Sequence, residues 1–160
     1  MPDPHPPTII VRDSHENTKK CSVWPLRGRP GLVFLNYPLK QKPTLDGYIR
    51  LAAEGPELTS AEAACGILLL DASWRWAERM ERDFLDVPPR SLHGFKTAYP
   101  RVSKLGTDPD NGLASVEALF LAHHILGRPT TGLLDHYRWA AEFLRLNGIA
   151  SPASCEREPS

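Results

Sequence analysis

The sequence predicts an α/β domain built on a parallel sheet. Two observations carry that reading. Ile67 to Leu70 is aliphatic at four consecutive positions with no polar alternation, the pattern of a strand covered on both faces. Helical patterns at 59–66 and 73–83 flank that run, as α/β order requires. A third fact bounds the answer: 160 residues suit one domain with a real core.

The elements follow in order. "TIIVR" (8–12) reads as a short strand, and a loop with at most a short helix follows it. "GLVFLNYP" (31–38) is a second strand, stopped by Pro38. "TSAEAACG" (59–66) carries an N-cap and leads as a short helix into the strand at 67–70. A helix from about Ser73 to Asp83 ends before "VPP", and another strand is expected near Gly94 to Ala98. "RVSKLGTDPDNG" is a loop of turn formers. "LASVEALFLAHHIL" (113–126) predicts an amphipathic helix with Asp110 or Asn111 near its start and Gly127 and Pro129 after its end. "TGLLDHYRWAAEFLRLNG" (131–148) predicts another, and the residues from 150 on read as a disordered tail.

No apolar run approaches the roughly 18 residues of a membrane helix. The proline-rich start has no hydrophobic signal core, so the expected location is cytoplasmic. Cys21, Cys65 and Cys155 form no C-x-x-C and are odd in number, which argues against a disulfide framework or a zinc ribbon. His123 and His124 are neighbours, so on a helix they point about 100° apart rather than forming an i, i+4 metal clamp. One is expected at a helix interface and one in solvent; no metal is expected.

Net charge is zero, yet its distribution is uneven. From Asn17 to Arg50 stand Lys19, Lys20, Arg27, Arg29, Lys40, Lys42 and Arg50 against Asp46 alone. From Arg90 to Lys104 there are Arg90, Lys96, Arg101 and Lys104 and no acid. Such segments form either a phosphate-binding face or a solvated surface.

Asp71 follows the strongest strand, and ligands of open α/β sheets bind beyond such strand ends. A carboxylate there can accept a proton or hold a ligand amine; equally, it can cap the next helix. Trp74 can lie against a purine or a sulfonium, or fill the core. No G-x-G-x-x-G, phosphate-binding loop or nucleophile elbow is present.

Three islands, in order, resemble the ribosomal-RNA aminocarboxypropyltransferase family of the DTW-domain group. "HENTKKCSVWPLR" (15–27) is similar to its H-x-x-x-K-K-C-[ST]-x-x-x-L segment. "GILLLDASW" (66–74) is similar to its G-x-x-x-x-D-[CA]-S-W strand and turn. "LASVEALFLAHHILG" (113–127) is similar to its L-[AS]-S-x-E-A helix, followed by an F-L-x-x-N element, here "FLRLN" (143–147). The loop "TAYPRVSKLG" (97–106) departs from the family: Pro100 and Gly106 align, whereas its Asn and Tyr have no counterpart.

The resemblance implies a SPOUT-like α/β fold with a C-terminal knot. It divides the chain into a small N-terminal part (1–45), a cofactor-binding part (46–149) and the tail (150–160). It implies S-adenosylmethionine (SAM) as donor of a 3-amino-3-carboxypropyl (acp) group. The acceptor is a uridine or pseudouridine base of RNA, most simply small-subunit ribosomal RNA or its precursor. By position, Asp71 is the catalytic carboxylate, Trp74 packs by the SAM methyl, and Ser22 contacts the SAM carboxylate. Leu92 and Ala114 line the adenosine and methionine parts. Lys19, Lys20, Arg27, Arg29, Lys96 and Arg101 are the expected RNA contacts. Two other readings stand beside this one: a SPOUT-type SAM-dependent RNA methyltransferase, and a non-catalytic RNA-binding or ribosome-assembly protein.

Overall fold

A computed structural model of the chain describes residues 5–14, 21–72, 74–99 and 113–150; the side chains of Trp74 and Arg75 lie outside that description. Five strands form one wholly parallel sheet: β1 (Thr8–Asp13), β2 (Leu32–Tyr37), β3 (Tyr48–Leu51), β4 (Gly66–Asp71) and β5 (Pro89–Arg90), in the order β2-β1-β4-β3-β5. Three α-helices are described: α1 (Trp74–Arg82), α2 (Ser115–Ile125) and α3 (Ala140–Leu146).

The aliphatic run of β4 is covered on both faces, as its lack of alternation demands. Ile67 and Leu69 join Ile10, Ile49 and Leu51 beneath α2 and α3. Leu68 joins Ile9, Val11 and Tyr48 on the opposite face, against Met80 of α1 and Phe84 just after it. Each such fully buried aliphatic side chain contributes roughly 1.5–3 kcal/mol. Gly66 opens β4 opposite Tyr48, and a Cβ there would meet the tyrosine ring at 2.5 Å. The ring uses that space to bring its hydroxyl to Pro7 O, to which it donates at 2.6 Å.

The expected strands at 8–12, 31–38 and 67–70 are present, and so is the helix after Asp71. The 59–66 segment is a single 3-10 turn, Ser60–Glu62, capped by Thr59, whose hydroxyl accepts from Ala61 N. Four details differ from the sequence reading. "YIRL" (48–51) is a strand that the pattern hid, because Arg50 interrupts its apolar run. No strand forms at 94–98; the last strand is Pro89–Arg90. There the backbone is tied by side chains instead: Asn147 accepts from Lys96 N at 2.7 Å and donates to Lys96 O at 2.8 Å, and Glu117 accepts from Ala98 N at 2.8 Å.

The third difference is α2, which is buried nearly all round rather than amphipathic, because it lies between the sheet and the C-terminal segment. The fourth is the C-terminal helix, which spans only Ala140–Leu146. Residues 131–139 form turns instead; Gly132 among them has φ +85°, and a Cβ at that position would meet Arg29 Nη1 at 2.8 Å. The histidine pair divides as expected, with His123 buried and His124 exposed. Asp110, Asn111, Cys155 and the tail from 151 lie outside the described residues.

Candidate functional site

The strands run parallel, so their carboxyl ends share one edge, where neighbouring connections diverge. The segment after β1 places Val23 and Leu26 on the α2 face, whereas β4 leads into α1 on the other face. Connections that part from adjacent strands leave a crevice between them, the usual ligand position in open parallel sheets. A cleft of about 840 Å³ lies at this edge, beyond the ends of β3 and β4 rather than of β1. Its walls are mainly apolar, with Leu51, Leu69, Leu92, Phe95 and Leu113. Glu81, His93, Lys96 and Ser115 supply polar side chains.

Asp71 ends β4 in register with Arg12 of β1. By strand alternation it faces the α2 side, like Ile67 and Leu69. Ser115, the first residue of α2, donates its hydroxyl to Asp71 Oδ1 at 2.5 Å. The Cys21 thiol donates to Oδ2 at 2.9 Å, and Arg12 Nε lies 3.8 Å from the same oxygen. Both carboxylate oxygens thus have fixed partners from three segments distant in sequence. Burial, then the charge and hydrogen bond of Asp71, push the Cys21 thiol above its ordinary pKa. Cys21 is therefore held as a neutral donor and is a poor nucleophile. Asp71 can orient or accept from a group that enters beside Ser115.

Ser22 stands next to Cys21, and its hydroxyl accepts from Val116 N at 3.0 Å. That contact satisfies one of the open N–H groups at the start of α2. It leaves the hydroxyl proton of Ser22 available to an acceptor. Ala114 is the N-cap of α2, and its N–H is taken by Glu117 Oε1 at 2.8 Å. Leu113 and Ser115 on either side of it line the cleft. Leu92 lines the cleft directly. Trp74 is the first residue of α1, three positions after Asp71; its side chain is outside the described residues.

The expected RNA contacts divide. Lys96 lines the cleft and is exposed. The guanidinium groups of Arg27 and Arg12 both lie over the Trp24 ring, at 3.6 and 4.7 Å from its centre. Arg27 is thereby linked through Trp24 to the partner of Asp71. Arg29 is turned elsewhere, donating to Thr131 O. Lys19, Lys20 and Arg101, and the loop from Pro100 to Gly106, lie outside the described residues.

Sequence reasoning missed the residues that build the site's frame. Glu117 is fully buried, and its carboxylate takes four donors: Thr97 Oγ1 at 2.6 Å, Ala114 N and Ala98 N at 2.8 Å each, and Tyr137 Oη at 2.9 Å. It ties residues 97–98, which follow the cleft-lining stretch 92–96, to the start of α2 and to the segment before α3. Its sequence signals are its place as the acid of the L-[AS]-S-x-E-A island and its position three residues after the N-cap, where an acid reaches back to the N-cap N–H. Ser115 and Cys21 stand in the quoted islands, but nothing there tied them to Asp71, tens of residues away, and Arg12 gave no signal.

The fold and site define an open parallel α/β protein with a ligand-sized cleft beyond the carboxyl ends of its strands. The chain is similar in fold to a solved structure, that of the SAM-dependent rRNA:acp-transferase Tsr3 from Vulcanisaeta distributa. The match has a TM-score of 0.67 at 18% identity and covers 89% of this chain and 79% of that one. No protein-family model matches the chain, and no curated protein matches it.

Proposed function

We propose that the chain is an RNA aminocarboxypropyltransferase, moving the acp group of SAM to a uridine or pseudouridine base. The observation that carries this reading is Asp71. It is held at the carboxyl edge of β4 by Ser115 and Cys21, beside a largely apolar cleft, in a fold shared with a SAM-dependent rRNA:acp-transferase. The proposal extends to a SPOUT-type architecture with a C-terminal knot and an N-terminal part within 1–45. It also extends to small-subunit ribosomal RNA as substrate and to the cytoplasm as location.

The cleft suits the donor. About 840 Å³ falls within the usual size of small-molecule sites, and the wall that includes Leu92 offers apolar surface to an adenosine. SAM supplies an electrophilic γ-carbon, activated by the sulfonium, with methylthioadenosine as leaving group. Trp74 offers an indole face to the positive sulfur. Ser22 offers its free hydroxyl proton to the SAM carboxylate, while its oxygen stays on Val116 N. Ala114 borders the methionine part. Asp71 takes up or orients the N3 proton of the incoming base, and its own orientation is fixed by Ser115. Lys19, Lys20, Arg27, Lys96 and Arg101 contact RNA phosphates.

The test is transfer from SAM labelled separately in the methyl and carboxypropyl groups, with ribosomal RNA as acceptor. The carboxypropyl label alone should enter RNA. Transfer of the methyl label would make the protein a methyltransferase on the same fold. Failure to bind SAM at all would leave a non-catalytic RNA-binding protein.

A further inference from the structure

Trp76 stands in the first turn of α1, outside the three sequence islands, and its side chain is 40% exposed. Met80 of the same helix is buried against the sheet, and Ala77 and Glu81 line the cleft. Trp76 and Arg79 share the neighbouring face, three positions apart. The Arg79 guanidinium lies 5.9 Å from the centre of the Trp76 ring, at the outer limit of a cation–π contact. Its charge also reaches the Tyr37 hydroxyl at the end of β2. That hydroxyl donates to Asp83 at 2.6 Å, which engages the acid one turn further along the face.

A single exposed apolar side chain carries little by itself. The surroundings of this one say what fits it. Glu78, Arg79 and Arg82 are all exposed on the same helix, so the indole is not part of a continuous apolar patch. A protein interface needs such a patch at its centre. A flat ring with a guanidinium beside it is instead what single-stranded nucleic acid uses: the ring stacks on a base and the cation meets a phosphate. The position agrees. Trp76 is the fifth residue after Asp71, and that much chain spans at most roughly 17 Å. Its chain neighbour Ala77 lines the cleft, so Trp76 stands beside the cleft and not within it.

We propose that Trp76 is a stacking platform for an unpaired RNA base next to the acceptor nucleotide, with Arg79 on an adjoining phosphate. The inference rests on the RNA reading above. Every base has a π-face, so the platform holds the strand without selecting its sequence.

The probes are a single-stranded oligouridine of about 12 nucleotides, within the usual site size, and an abasic ribose-phosphate chain of the same length. Both are titrated into the full chain at several salt concentrations. Trp76→Ala should weaken oligouridine binding by roughly 5- to 100-fold and binding of the abasic chain by less than about 2-fold, with no change in salt slope. Trp76→Leu keeps an apolar side chain without a π-face and should lose as much. Arg79→Gln should lower the salt slope by about 0.7, the share of one phosphate on a single strand. Melting curves of these surface variants should stay close to the wild type. Unchanged oligouridine affinity in Trp76→Ala would overturn the platform, as would an equal loss for both probes. Full binding by Trp76→Leu would overturn it too and point to a protein partner. Absence of oligouridine binding by the wild type would also overturn it; a ribosomal-RNA titration alongside shows whether the RNA reading falls with it.

Discussion

Glu117→Gln is nearly isosteric, yet it should be among the most damaging conservative changes in this chain. The carboxylate takes two donors on each oxygen: Thr97 Oγ1 and Ala114 N on Oε1, Ala98 N and Tyr137 Oη on Oε2. An amide keeps one oxygen and replaces the other with an NH2 group. Whichever way it turns, that NH2 faces one backbone N–H and one hydroxyl. The hydroxyl can rotate and accept; the backbone N–H cannot. One buried donor is orphaned and one charge-assisted bond becomes neutral. Hydrogen bonds to charged groups contribute about 1.5–3 kcal/mol each, and an orphaned donor costs about 1–3 kcal/mol. After the recovered hydroxyl bond, the expected loss is about 2–4 kcal/mol, or about 5–15 °C in Tm for a domain of this size. The assay is chemical and thermal denaturation of both proteins, with SAM titration alongside. SAM affinity should fall as well, because residues 97–98, which hold the end of the cleft-lining stretch 92–96, lose their anchor. A Glu117→Gln protein that melts with the wild type and binds SAM equally would refute the frame assigned to Glu117.

Four further outcomes follow from the same contacts. Burial, then the Arg128 charge, lowers the pKa of His123 to about 4, so the folded state holds a neutral ring where the unfolded chain binds a proton. Stability from this group is full above about pH 6.5 and falls as pH drops toward 4, by about 3 kcal/mol in all; His123→Gln should flatten that slope in urea titrations at stepped pH. Trp74→Ala should weaken SAM binding by roughly 5- to 30-fold, read by calorimetry, with the protein still folded. Charge reversal of Lys96 and Arg101 should reduce RNA affinity and lower the salt slope by about 1.5. Asp71→Asn should lower acp transfer by roughly 10²-fold at saturating SAM, and a fully active variant would end the catalytic assignment.

What the sequence disclosed and what it hid divide along physical lines. β4 was legible because four consecutive aliphatics can be buried only between two layers, and Asp71 stood out as the carboxylate that stops them. The short β3 was not, because Arg50 breaks the apolar run that a period rule counts, and the ion pair to Glu81 that makes its burial tolerable is a tertiary event. "GFKTA" has β-branched and aromatic content, but a strand needs a neighbouring strand. Here the neighbours are Asn147 and Glu117, whose side chains take the backbone groups that a strand would have paired. The helical spacing at 131–148 is real, yet residues 131–139 form turns, Gly132 among them with its left-handed φ beside the Arg29 guanidinium, and the helix starts at Ala140. The site followed the same rule. Residues inside one motif could be picked out, but the contacts of Asp71 with Ser115 and Cys21 join segments that no local pattern connects.

Those contacts explain why the three islands that stand out in the sequence are separate in the chain and single in space. The first gives Cys21 to Asp71 and Ser22 to the start of α2. The second gives Asp71 itself. The third gives Ser115 to Asp71 and Glu117 to residues 97–98, and Asn147 ties Lys96 of the cleft wall just before them. A helix start leaves open N–H groups, and here Ser22 and Glu117 take two of them. The hydroxyl of Ser115 can then serve the strand-end carboxylate instead of the helix. The start of α2 is thus the joint between cleft wall and candidate catalytic group. Disturbing either Ser22 or Glu117 should move Asp71 without touching it, which separates a change in turnover from a change in the group that performs it.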